Sequence, residues 1–326
     1  MIDVQLDRRT VRVKLLDGPL AGEIHQAIFY TTLGFTPESE DIVLANTVGI
    51  EMGLGTGGLA VVLPSAGGEA PINAGHFVKL PYTPLQFSVS SAPQAVSLEG
   101  VPVVVLPLHS HLAPACCAAA DMRPGARVAF VWQEGGALPV AFSRSAGILR
   151  EKGLLHALVS CGNCFGGELE SPNVYSGLLA AAAVADLVVV GIGPGLIGTG
   201  APFGHGGMSA AVALNAAISL GAEPVLAPRI SNADARARHR GVSHHTISVL
   251  QATLARCRVA LPAGIDVPET MLTGRHDFVA AAYTAAGLEE RFGVTFESMG
   301  RSYRDDAGFF DAAVAAVGLA LGKGAE

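Results

Sequence analysis

Apolar and polar positions change rhythm about a third of the way along the chain. Up to about residue 98 the apolar residues fall in short runs, Val11–Leu16, Ile42–Asn46, Ala60–Leu63, His76–Leu80 and Leu85–Ser90, separated by Gly, Pro and Asn. Short runs bounded by turn formers predict strands, so residues 1–98 are expected to form a small β-rich domain, barrel-like or sandwich-like. Ser91-Ala92-Pro93-Gln94 and Glu99-Gly100 read as its boundary.

Residues 99–326 alternate continuous β-branched runs with longer helical patterns. In order they predict strand Val101–Leu106, helix Leu112–Met122, strand Arg127–Val131, helix Val140–Glu151, strand Leu155–Ser160 and helix Asn173–Ala185. Strand Leu187–Gly191, helix Gly207–Leu220, strand Pro224–Pro228, helix His244–Ala255 and strand Arg258–Leu261 follow, then a helical C-terminal stretch. Buried strands joined by helical crossovers imply a doubly wound, mainly parallel α/β sheet, Rossmann-like in outline. Ligands of such sheets bind beyond the carboxyl ends of the strands. The segments that leave those ends are polar and rich in glycine: His109-Ser110-His111, Glu134-Gly135-Gly136, Cys161–Cys164, Gly191–Gly200, Arg229-Ile230-Ser231 and Pro262-Ala263-Gly264.

Composition narrows the classes. Half of the 326 residues are hydrophobic, enough for a substantial core. A net charge of -7 and a 6% aromatic share argue against a nucleic-acid binder, which needs cationic tracks and stacking platforms. The apolar stretch Leu178–Val190 is broken by Asp186 and followed by glycines, so it is expected to be a buried helix and strand, and no membrane partner is expected. Five cysteines without an export-like leader point to free thiols in a cytoplasmic protein. Cys116 and Cys117, in an alanine-rich helix, are expected to pack as small core residues.

Two segments carry the candidate chemistry. The first is the glycine loop Gly191–Gly200, in which Gly193, Gly195, Gly198, Thr199 and Gly200 would turn backbone N–H groups toward an anion. The run Gly204–Gly207 then opens a helix whose N-terminus favours a phosphate or carboxylate. Neither the dinucleotide spacing nor a GK[ST] triplet is present, and tight packing alone would also account for the glycines. The second segment, Arg229–Thr246, gathers Arg229, Ser231, Asp234, Arg236, Arg238, His239, His244 and His245 after a strand. Arginine forks suit oxyanions, Asp234 would orient one of them, and a histidine would serve as acid or base. Ser243 is a candidate N-cap.

Other motifs are weaker. The three histidines invite a metal-hydrolase reading, against which stand the missing HExxH pattern and the neighbouring arginines. Cys161-Gly162-Asn163-Cys164 has the spacing of a redox or zinc pair but no second pair. His109 and His111 are candidate bases, Glu168 and Glu170 candidate acids. Gly53–Gly58 is most simply a hairpin connection.

Together, Gly191–Gly200, Arg229-Ile230-Ser231 with Asp234-Ala235-Arg236, and Arg238–Thr246 resemble an uncharacterised bacterial family of unknown function, DUF3866. Leu54–Gly58 and Leu80–Gln86 share the likeness, which therefore spans most of the chain. It implies no activity, cofactor or catalytic residue. The departures at His111 and at Cys161 and Cys164 weigh against a thiol or a His109/His111 mechanism.

The expectation is an enzyme, a transferase or hydrolase, acting on a small phosphorylated or otherwise anionic metabolite or nucleotide, with His239, His244, His245 and Asp234 catalytic. A ligand sensor and a metal hydrolase are the alternatives. The sequence names no cofactor and leaves a homo-oligomer open.

Overall fold

The computed structural model describes residues 8–31, 36–51, 58–63, 75–81, 87–267 and 274–322. The chain divides into two compact units, Met1–Ser90 and Ser91–Glu326. In the first, β1 (Arg8–Lys14), β2 (Ile24–Tyr30), β3 (Leu44–Asn46), the one-turn helix α1 (Val48–Glu51) and β4 (Ala60–Leu63) precede a hairpin of β5 (Phe77–Lys79) and β6 (Phe87–Val89). The sheet order is β1-β2-β4-β3, antiparallel except for the parallel pair β2 and β4. Ala27, Phe29, Ala60 and Val62 form its small core. Strand β2 was not expected, because its last four residues are buried in succession and show no alternation. Gly53 to Gly57 and most of Leu80–Gln86 lie outside the described residues.

The second unit runs β7 (Val103–Leu106), α2 (Leu112–Met122), β8 (Val128–Gln133), α3 (Arg144–Glu151), β9 (Ala157–Cys161), β10 (Leu169–Ser171), α4 (Val174–Val184) and β11 (Leu187–Ile192). It continues with α5 (Ser209–Ser219), β12 (Val225–Leu226), β13 (Ile230–Ser231), β14 (Gly241–Val242), α6 (His244–Ala252), β15 (Arg258–Pro262) and β16 (Asp277–Ala281). It ends with α7 (Leu288–Phe292), β17 (Glu297–Ser298), β18 (Arg301–Ser302) and α8 (Ala307–Ala320). Eight of these strands form an all-parallel sheet in the order β10-β9-β8-β11-β7-β12-β15-β16. Helices α2, α3, α7 and α8 pack as one group and α4, α5 and α6 as another. This is the expected α/β fold, and Leu178–Val190 is indeed a buried helix end followed by a buried strand.

Alternation explains the core. Val103, Val105, Ala129, Val131, Val188 and Val190 share one face of the sheet and pack with Leu178, Ala213 and Leu214 of α4 and α5. Alanine-rich helices can approach that face closely. The structure departs from expectation where the pattern was weakest. The sheet has two more strands, β10 and β16, at its outer edges, where polar residues interrupt the apolar run. Strand β16 lies in the stretch expected to be helical. Helix Val140–Glu151 is divided at Ser143, whose hydroxyl caps α3 by accepting from the Ala146 N–H at 3.0 Å.

The winding reverses at β11. From β7 the chain steps outward to β8, β9 and β10, then returns through α4 to insert β11 between β8 and β7 before continuing to β12. The carboxyl ends of β11, β7 and β12 therefore meet at a topological switch point, the crevice where a site is expected.

Candidate functional site

A cavity of about 480 Å³ opens at that switch point. The glycine loop after β11 forms one wall, Leu108 and His109 after β7 part of the floor, and the segment after β12 the cationic wall. A rim comes from Ser298 and Met299, in the β17–β18 hairpin. Of the residues singled out in the sequence, Gly193, Gly195, Gly198, Gly200, Arg229, Arg236, Arg238, His239, His244 and His245 line it. Thr199, Ser231 and Asp234 are not among the lining residues.

The glycine loop is folded on itself. The Thr199 N–H donates to the Gly204 carbonyl at 2.7 Å and the Gly206 N–H to that of Ile197 at 2.7 Å, so these amides are committed. A side chain at Gly193 would run into the Trp132 ring and the Leu138 carbonyl, and Gly195 and Gly200 have left-handed backbones. Packing and turn geometry account for these glycines. The favourable charge for an anion lies across the cavity.

There Asp234, buried behind the lining, organises the arginines. Its carboxylate accepts from Arg236 Nε at 3.0 Å and Nη2 at 2.9 Å, and lies 3.5 Å from Arg229 Nη2 and 3.8 Å from Arg301 Nη2. The hydrogen bonds from Arg236 hold its carboxyl well below the usual carboxylate range. Arg301 Nε lies 3.2 Å from Asp306, which also accepts from the Ser231 hydroxyl at 2.5 Å and the Asn232 N–H at 3.0 Å. Three guanidinium groups thus share two buried carboxylates, and Arg238 adds a further cation at the cavity wall.

His245, at the start of α6, points its Nδ1 at Arg229 Nη1, 3.0 Å away. A guanidinium only donates, so Nδ1 accepts, and the neutral ring must carry its proton on Nε2. Burial, then His205 and Arg229, push its pKa down to about 2. The His205 ring stacks on it at 3.7 Å and 15°, an arrangement two cations would not keep. His239 meets the Ser243 hydroxyl at 2.7 Å and is lowered to about 3 by burial and by Arg229. His244 is lowered by burial and then by Arg238, and its Nε2 has no hydrogen-bond partner among the described residues. All four rings are therefore neutral at neutral pH.

Ring nitrogens of His239, His244 and His245 lie within 4.8 Å of one another, close enough to frame a metal ion. The chemistry of the set fits one poorly. His245 offers no lone pair while Nδ1 accepts from Arg229 and Nε2 holds the proton. Metal-bound imidazoles usually donate through their second nitrogen, the reverse of what is found here.

The other motifs have structural places. His109 Nδ1 lies 3.2 Å from the Ile192 carbonyl and so donates to it, leaving Nε2 to accept from the Ser143 hydroxyl at 2.7 Å. His111 is buried against Phe309. Glu168 pairs with Arg150 at 2.6 Å and accepts from the Leu158 N–H, while Glu170 accepts from the Gly166 N–H. Cys161 is buried and Cys164 half-buried. Burial raises the thiol pKa of Cys116 and Cys117. Sequence reasoning missed His205, Met299, Arg301 and Asp306. Asp306 sits where an ordinary helix cap would, directly before α8, so nothing in its local pattern marks it.

A family description, protein of unknown function (DUF3866), matches residues 26–317 of the chain. No curated protein and no solved structure matches it.

Proposed function

The chain belongs to the DUF3866 family, and from the geometry of its site we propose that it is an enzyme, a transferase or hydrolase, acting on a small phosphorylated or otherwise anionic metabolite. One observation carries the reading: a neutral histidine, His244, whose Nε2 has no hydrogen-bond partner among the described residues, faces the same cavity as Arg229, Arg236 and Arg238. The arginines would attract and orient the oxyanion. A bound anion would offset their effect on the imidazole and raise its proton affinity, letting His244 take up a proton from the substrate or an attacking hydroxyl. His245, held as an Nε2–H donor, would stabilise negative charge developing on substrate oxygen. Asp234 acts through the arginines it positions.

Thermal stability of the untagged protein with inorganic phosphate, nucleotides and sugar phosphates tests the anion site, because a ligand bound only to the native state raises the melting temperature. At least one anion should stabilise the protein, and Arg238→Ala, an exposed residue, should remove the effect without unfolding it. For the stabilising compound, turnover followed by ³¹P NMR should vanish in His244→Gln while stabilisation persists. Stabilisation without turnover in the unaltered protein would favour a sensor. Indifference to every anion would overturn the site.

A further inference from the structure

Strand β17 joins β18 through the two residues Met299 and Gly300, with Ser298 opposite Arg301. Their φ angles are +52° and +74°, the pattern of a type I′ turn, whose first position favours Asn, Asp or Gly. A methionine there is strained, since its Cβ crowds the following carbonyl. Of the three described non-glycine residues with positive φ, Met299 is the one that lines this cavity.

Met299 is 62% exposed, so core packing does not account for a methionine at this strained position. The Sδ atom lies 3.8 Å from Arg236 Nη2, so the thioether sits beside the cationic wall. Leu108, Ile192 and Leu196 add further apolar surface to the same cavity. Cation and hydrocarbon are therefore adjacent, and a bare inorganic anion would leave the hydrocarbon uncovered.

We infer that the ligand is an oxyanion bearing a compact apolar group, and that Met299 is the specificity-determining residue that covers this group. The inference rests on the anion-site reading above and adds the substrate class. Strained, solvent-facing residues persist where function repays the cost, and an unbranched thioether adapts to an irregular apolar partner.

The test compares paired probes by calorimetry, inorganic phosphate with phenyl phosphate and acetate with benzoate, in the unaltered protein, Met299→Asn and Met299→Leu. In at least one pair the aryl compound should bind about fivefold or more tightly than its simple counterpart, from the apolar area covered. Met299→Leu should keep that preference. Met299→Asn should reduce it to within about twofold, consistent with the lost apolar contact, and should raise the melting temperature by about 2–4 °C as the turn relaxes. Simple anions binding as well as aryl ones, a preference unchanged in Met299→Asn, or no rise in its melting temperature would overturn this inference and leave the anion site standing. If none of the four probes binds, this inference fails by itself, and the anion-site reading falls with it only where the nucleotides and sugar phosphates leave the melting temperature unchanged as well.

Discussion

Asp234 shows how much one side chain can decide. It is 2% exposed and faces Arg229, Arg236 and Arg301, so Asp234→Asn would leave three guanidinium groups without their shared counter-charge. Removing one partner from a buried ionic network costs about 3–5 kcal/mol, and urea unfolding at pH 7 should show a loss of that order. The pH dependence follows from the lowered carboxyl pKa. A depressed folded-state value means that the stabilisation is complete above the unfolded value of 3.8 and is lost only as pH falls through the lower folded value. The gap between the two proteins should therefore hold steady from about pH 7 to 5 and close only in stronger acid. A gap under about 1 kcal/mol at pH 7 would reduce the network to an ordinary surface cluster.

At the scale of elements, helix α4 illustrates how packing overrides propensity. Asn173 caps it by accepting from the Ser176 N–H at 3.1 Å, and its alanines favour helix. Yet Gly177 stands in its interior, where a Cβ would fall on the Cys161 Sγ of β9. Gly177→Ala should therefore destabilise by about 1–3 kcal/mol through overpacking, although alanine is the better helix former. Paired with Cys161→Ala the clash disappears, so a double-mutant cycle should return a coupling of about 1 kcal/mol or more. Additive effects would mean that α4 shifts freely against the sheet. The sequence showed this helix and strand to within a residue or two. It gave no sign that Gly177 answers to Cys161, a contact between elements.

For the whole molecule, the relevant property is its store of buried neutral histidines. Burial lowers His109 to about 4, His111 to about 3, His239 to about 3 and His245 to about 2, from an ordinary 6.5. Below pH 6.5 the unfolded chain takes up protons that the folded one refuses, so stability is full above that value and falls as pH drops. Melting temperatures should decline steadily from about pH 7 to 5. His111 lies outside the cavity lining, and neither ring nitrogen has a hydrogen bond of ordinary geometry among the described residues. His111→Leu should be nearly neutral at pH 7.5 and spare about 1–2 kcal/mol of the loss at pH 5. An unchanged pH slope would assign the acid sensitivity to other groups. Among the described residues no helix is long and apolar enough to cross a membrane.

What the sequence by itself determined is local. Continuous β-branched runs and alanine-rich helices specify a parallel α/β sheet because burial on both faces leaves no alternation, and the segments after β11 and β12 stood out because arginines, histidines and glycines crowd together there at the carboxyl ends of strands. Tertiary structure decided the rest. Strands β10 and β16 depend on the pairing edges offered by β9 and β15. The cavity exists because β11 inserts between β8 and β7, which brings Gly193 and Arg229 to one crevice. Met299 joins its lining, and Arg301 and Asp306 the buried ionic network around Asp234, from more than sixty residues downstream of Asp234. Side-chain protonation was equally out of reach of pattern. The state of His245 follows from a donor 16 residues away in the chain but 3.0 Å away in space, and a hydrogen bond between distant residues leaves no period to read.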